Sequence, residues 1–185
     1  MIDDVMLEAE EKMESALEAA KRELASIRTG RANPAMFNGI MVDYYGAPTP
    51  LQQLASLTIP EARTVIVSPF DRGAMKQITS AIRESDLGVN PTDDGNIIRV
   101  TLPALTEERR KDYVKLAKSR AEESRVQVRG VRGKAKKELE AIKKDGEAGE
   151  DDVNRAEGDL EALTKRFVEQ VDAALEAKEK ELLEV

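Results

Sequence analysis

Between positions 125 and 137 the chain reads RVQVRGVRGKAKK. Arg125, Arg129 and Arg132 recur at spacings of four and three, the repeat that puts side chains on one face of a helix. A guanidinium is a planar fork of donors that can grip two phosphate oxygens at once, where an ammonium acts as a point charge. The row extends back through Glu122, Lys118, Lys115 and Lys111 and forward to Lys136, and all of its members but Glu122 are basic. It runs parallel to an apolar seam, displaced by one residue or about 100° around the helix. A basic row of that length beside a buried stripe is the pattern of a surface that tracks phosphates.

The charge around it is uneven. From Arg109 to Lys137 there are twelve basic residues against Asp112, Glu122 and Glu123, in a chain whose formal net charge is −7. Residues 1–27 carry eight acids and three bases, and residues 145–185 fourteen acids and five bases. A second reading therefore stays open: the basic helix pairs with acidic neighbours, each exposed pair contributing little. Gly130 and Gly133 lie inside the same stretch and each weakens a helix interior by roughly 1 kcal/mol relative to Ala. Close packing, a kink, or the approach of a bulky ligand backbone would account for them.

Other chemistries find little support. The chain has no histidine and no cysteine, which removes the usual imidazole base, the thiolate nucleophile and the commonest zinc ligands. GVRGK at 130–134 has the wrong spacing for a phosphate loop, and DDGN at 93–96 lacks the repeated oxygen ligands of a calcium loop and reads as a turn. Glu150, Asp151 and Asp152 suit a helix N-terminus. No catalytic residue, metal site or cofactor is expected, and the chain is read as not an enzyme. The N-terminus MIDDVMLEAEEK has neither signal-peptide nor transit-peptide character, and no apolar run approaches the ~20 residues that span a bilayer. The expectation is a cytoplasmic protein without a membrane partner.

The elements that would carry the row follow from proline and periodicity. All seven prolines fall between Pro34 and Pro103, so the flanks can be long helices and the middle cannot be one. Ile2, Met6, Ala9, Met13, Ala16, Ala20, Leu24 and Ile27 form one stripe, with Gly30 as a stop. Thr106 is the expected N-cap of a second helix whose seam is Val114, Ala117, Ala121, Ser124, Val128, Val131, Ala135, Leu139 and Ile142. A third helix from about Glu150 carries Val153, Ala156, Leu160, Leu163, Phe167, Val171, Ala174 and Leu182. The short break at KKDGEAGEDD makes the last two antiparallel neighbours.

Within the middle segment, IMVDYY, TVIVSPF and NIIRVTLP are β-branched runs, and GAMKQITSAIRE carries a helical stripe of Met75, Ile78 and Ile82. At least one of Tyr44 and Tyr45 is expected in the core. The predicted fold is α+β: an elongated antiparallel three-helix bundle (residues 1–29 plus 106–185) with an inserted small β/α/β domain (30–105). A two-strand hinge joins them, RTGRANP with Thr29, Gly30 and Arg31 on one side and LPALT with Pro103, Ala104 and Leu105 on the other.

IRTGRANP at 27–34, DYYGAPTPLQQLAS at 43–56, SDLGVNP at 85–91, IRVTLPALTEERRKD at 98–112 and VRGVR at 128–132 together make the chain similar, over essentially its full length, to the bacterial ribosome recycling factor family. The resemblance implies the bundle-and-insert fold just described. It also implies binding to the post-termination ribosome, chiefly large-subunit ribosomal RNA, by a monomer that acts with elongation factor G and GTP to separate the subunits and release mRNA. The family's proposed RNA-contacting arginines correspond to Arg28, Arg31, Arg110, Arg129 and Arg132, to which the helical row adds Arg125. Where the family commonly has another basic residue, this chain has Gly133. The competing expectation is a coiled-coil-like cytoplasmic adaptor.

Overall fold

The computed structural model describes residues 1–184. Two compact units emerge, one of Met1–Leu24 with Lys115–Glu179, the other of residues 25–114 with the chain from Lys180 onward. The helix ends at 25–26, 107–114 and 180–183 thus group with the β-rich unit rather than with the bundle.

The first unit is built from three helices, α1 (Ile2–Ser26), α4 (Glu107–Lys144) and α5 (Glu150–Leu183), each continued by a short stretch in the other unit. Thr106 caps α4 as expected, its hydroxyl accepting the Arg109 amide at 3.1 Å. Gly146 turns the chain between α4 and α5 with φ 67°, the left-handed conformation glycine adopts without cost. The core joins Ala9, Met13, Ala16 and Leu17 of α1 to Ala121, Val128, Ala135 and Leu139 of α4 and to Val153, Leu160, Phe167 and Val171 of α5. Alanines alternate with larger side chains on α1 and α4. Phe167 is the one aromatic ring in this core, and the Arg166 guanidinium lies 5.1 Å from its centre.

Lys178 is a buried charged residue. Its spacing places it between Val171 and Leu182 on the buried stripe of α5, and it is 5% exposed. A lysine on an apolar stripe reads in sequence as a polar interruption, whereas its long aliphatic stem can cover apolar surface. It is not an exposed position.

The second unit contains two sheets. Strands β1 (Met41–Tyr44) and β2 (Ala47–Pro50) form an antiparallel hairpin, and β3 (Ala55–Glu61), β4 (Thr64–Pro69), β5 (Thr92–Asp93) and β6 (Ile98–Thr101) form an antiparallel sheet ordered β3-β4-β6-β5. A short helix α2 (Leu51–Leu54) links β2 to β3, and α3 (Met75–Arg83) buries Met75, Ile78 and Ile82. The insert is therefore richer than β/α/β. Strand β3 evaded sequence reading because it contains Pro60. The structure tolerates that proline because β3 is an edge strand whose register breaks between Thr58 and Glu61, where a missing N–H removes no ladder bond. Val65, Val67, Ile98, Val100, Phe37, Val42 and Leu102 complete the core.

Of the two tyrosines, Tyr44 packs against this core, while Tyr45 is 80% exposed and has φ 50° at the hairpin turn. The DDGN stretch is the expected turn: Asp93 Oδ1 accepts the Gly95 amide at 2.8 Å.

Candidate nucleic-acid interface

The expected site residues fall into two groups, one in each unit. In the first unit, Arg125, Arg129 and Arg132 lie along α4 on the side facing α5. The pairing between these helices is antiparallel and ionic: Lys118 meets Glu179 at 4.0 Å, Arg125 meets Asp172 at 2.7 Å, Arg132 meets Glu161 at 3.6 Å and Lys143 meets Glu150 at 3.3 Å. The acidic helix thus runs beside the basic row, as the electrostatic reading anticipates.

These pairs are not equivalent. Arg125 is 18% exposed; its Nε donates to Asp172 Oδ1 at 2.7 Å and its Nη1 to Glu122 Oε2 at 2.9 Å. Burial disfavours its charged form, but the bonds to Asp172 and Glu122 outweigh that and hold its pKa above the usual arginine value. Two of its three nitrogens are thus engaged within the chain. Arg129 is 49% exposed and only 3.5 Å from Glu122, and Arg132 is 39% exposed at 3.6 Å from Glu161. Separations of that length leave donors for an outside acceptor, and among the described residues the buried Arg132 Nε has no hydrogen-bond partner. Exposed pairs of this kind contribute at most ~1 kcal/mol and exchange readily for a phosphate.

Gly130 and Gly133 lie in unbroken α4, and a Cβ at either position would meet nothing within 4 Å. Packing inside the protein does not explain them. Gly130 lines an open groove of about 490 Å³ between α1 and α4, walled by Val5, Ala9, Ala16, Val131 and Ala135. Small side chains on both helices leave this space.

The second group consists of Arg28, Arg31 and Arg110. All three gather in the second unit, where Arg31 and Arg110 line a recess of about 660 Å³ together with Thr29, Gly30, Ala104, Leu105 and Arg63. Residues from both expected hinge segments therefore meet at one recess. Arg28 donates to the Pro103 carbonyl, a direct tie between the two segments. Thr29 is buried, and its hydroxyl donates to the Arg31 carbonyl at 3.0 Å. Burial pulls the Arg28 guanidinium below the usual arginine value; Tyr113 opposes this, and the neighbouring charges of Arg109 and Arg63 add to it. Among the described residues the buried Nε atoms of Arg28 and Arg110 have no hydrogen-bond partner. Arg63 and Arg109 stand in this cluster although the helical row and the motif matches did not single them out. Arg63 belongs to a turn far away in sequence, so only the fold brings it here.

Among the described residues no helix is long and apolar enough to cross a membrane. Residues 20–183 match the family described as Ribosome recycling factor. The chain is 65% identical to the ribosome-recycling factor of Kineococcus radiotolerans and 64% identical to that of Beutenbergia cavernae, in each case over the whole of both chains. A solution structure of the ribosome recycling factor superposes on it with a TM-score of 0.80 at 42% identity, covering 100% of this chain and 98% of the other. A second neighbour, at TM-score 0.71 and 41% identity over the whole of both chains, comes from models of the T. thermophilus ribosome recycling factor and E. coli elongation factor G bound to the E. coli post-termination complex. Coverage from end to end, at identities where fold and surface both carry over, leads to one conclusion: the chain belongs to the ribosome recycling factor family.

Proposed function

We propose that this chain binds the post-termination ribosome and, together with elongation factor G and GTP, separates the ribosomal subunits and releases mRNA. The observation that carries the reading is the full-length likeness to a recycling factor seen with elongation factor G on a post-termination complex. Arg129 and Arg132 on α4, with Arg28, Arg31 and Arg110 on the second unit, are its phosphate contacts, and Arg125 holds the row in place through Asp172. The excess acid elsewhere keeps the protein from coating itself with RNA, because each added phosphate contact steepens the dependence of affinity on salt.

The protein is a cytoplasmic monomer and not itself an enzyme; nucleotide hydrolysis belongs to its partner. Absence of histidine and cysteine from the sequence supports that division of labour. Thr29, Gly30 and Arg31, with Pro103, Ala104 and Leu105, form the hinge between a bundle of residues 1–29 plus 106–185 and an insert of residues 30–105. Co-sedimentation with large ribosomal subunits over a salt series, paired with a subunit-splitting assay containing elongation factor G and GTP, tests the reading. Saturable binding with splitting supports it. Lack of both would leave the adaptor reading, in which the basic helix serves only its acidic neighbours.

A further inference from the structure

The turn between β3 and β4 consists of Ala62 and Arg63, and both expected hinge segments hold it by the backbone. The Ala32 amide donates to the Ala62 carbonyl at 2.6 Å, and the Leu102 amide donates to the Arg63 carbonyl at 2.7 Å. Ala32 lies in the first segment and Leu102 begins the second, so this one turn is clasped from both sides. The Arg63 main chain is thereby fixed, while its side chain is exposed and lines the recess with Arg31 and Arg110.

We infer that Arg63 is a further RNA-phosphate contact, closing with Arg31 and Arg110 a three-sided arginine clamp on one backbone phosphate. The inference rests on the proposed ribosome binding and adds a residue to it. Three independent chain segments supply the guanidinium groups: the end of α1 leads to Arg31, the β3–β4 turn carries Arg63, and the first turn of α4 carries Arg110. Arg63 also stands close enough to Arg28 for its charge, with that of Arg109, to add to the burial that disfavours the Arg28 guanidinium, a repulsion within the cluster. An anion entering the recess relieves that repulsion. Glu181 and Glu184 also line it, so the empty recess is partly balanced by carboxylates that a phosphate would have to repel or displace. That opposition sets the sign of a second test.

The full-length protein and its variants are to be titrated against isolated large subunits across a salt series, with the far-ultraviolet circular dichroism melt as a check on folding. Arg63→Gln should weaken binding about tenfold and make the slope of log K against log salt shallower by about 0.7 to 0.9, as for one lost phosphate contact. The Ala62 and Arg63 carbonyl bonds are main-chain and survive the change, so the melt should stay within about 2 °C. Glu184→Gln should act in the opposite direction and tighten binding. Arg63→Gln with wild-type affinity and slope would overturn the clamp while Arg129→Gln and Arg132→Gln still weakened binding. Failure of the unsubstituted protein to bind large subunits would instead overturn the proposed function itself.

Discussion

Arg125 Nε and Asp172 Oδ1 stand 2.7 Å apart, joining α4 to α5 through a side chain that is only 18% exposed. Its other bond, from Nη1 to Glu122 at 2.9 Å, uses the same fork. We propose that these two charge-assisted bonds give Arg125 a structural part in the row. Arg125→Gln should lower unfolding free energy by about 1 kcal/mol and leave the salt slope of large-subunit binding unchanged. Urea unfolding and a binding titration on the same variant measure both. A shallower slope at unaltered stability would return Arg125 to the RNA contacts.

Gly130 and Gly133 offer a test of the opposite sign. Nothing lies within 4 Å of a Cβ at either site, and neither has a positive φ. Ala should therefore be accommodated, and each replacement should stabilise the protein by roughly 0.5–1 kcal/mol through helix propensity. Unfolding midpoints of Gly130→Ala and Gly133→Ala decide it; a loss of stability in either would reveal packing that the free chain does not display.

The insert has a pH-sensitive tie at Asp71. Its Oδ1 accepts the Gly73 amide at 2.8 Å and its Oδ2 accepts the Tyr44 hydroxyl at 3.0 Å. These bonds hold the carboxyl below its usual pKa, the backbone bond contributing most. A depressed folded-state pKa gives stability that is present above the ordinary carboxylate range near ~3.9 and is lost as pH falls through the folded value. Wild type should therefore exceed Asp71→Asn in stability at pH 6, with the gap closing on acidification towards pH ~3. A gap that stayed constant across that range would mean the charge of Asp71 plays no part.

These outcomes bear on how far sequence alone could go. The long helices were legible because a single period of three and four runs through Ala9, Met13, Ala16 and Ala20 and through Val153, Leu160, Phe167 and Val171, residues the structure buries. Leu17 is also buried, one position beside the stripe, because a helix packed against two others needs a wider apolar face than one line of residues. The arginine row was legible as charge, but the partition between Arg125 and Arg129 was not. It depends on where Asp172 of another helix falls, which no periodicity within α4 encodes. Arg63 was beyond reach for the same reason: two main-chain bonds from distant segments position its turn. Lys178 shows the converse, a charged residue that the fold buries on the stripe of α5.

Arg129 and Arg132 carry the central claim, because they are 49% and 39% exposed where Arg125 is 18% exposed and bonded at 2.7 Å to Asp172. The measurement is the affinity of Arg132→Gln and Arg129→Gln for isolated large subunits from about 50 to 200 mM salt, set beside Lys21→Gln. Lys21 is an exposed residue of α1 paired with Glu18 at 3.6 Å, and it lies off the arginine row. Both arginine variants should keep their stability to within about 0.5 kcal/mol, bind more weakly, and show slopes shallower by about 0.7 to 0.9 per lost contact, with Lys21→Gln indistinguishable from wild type. Arg132→Gln and Arg129→Gln binding with unaltered affinity and slope would contradict the account and leave the row as a solvated face balanced by α5.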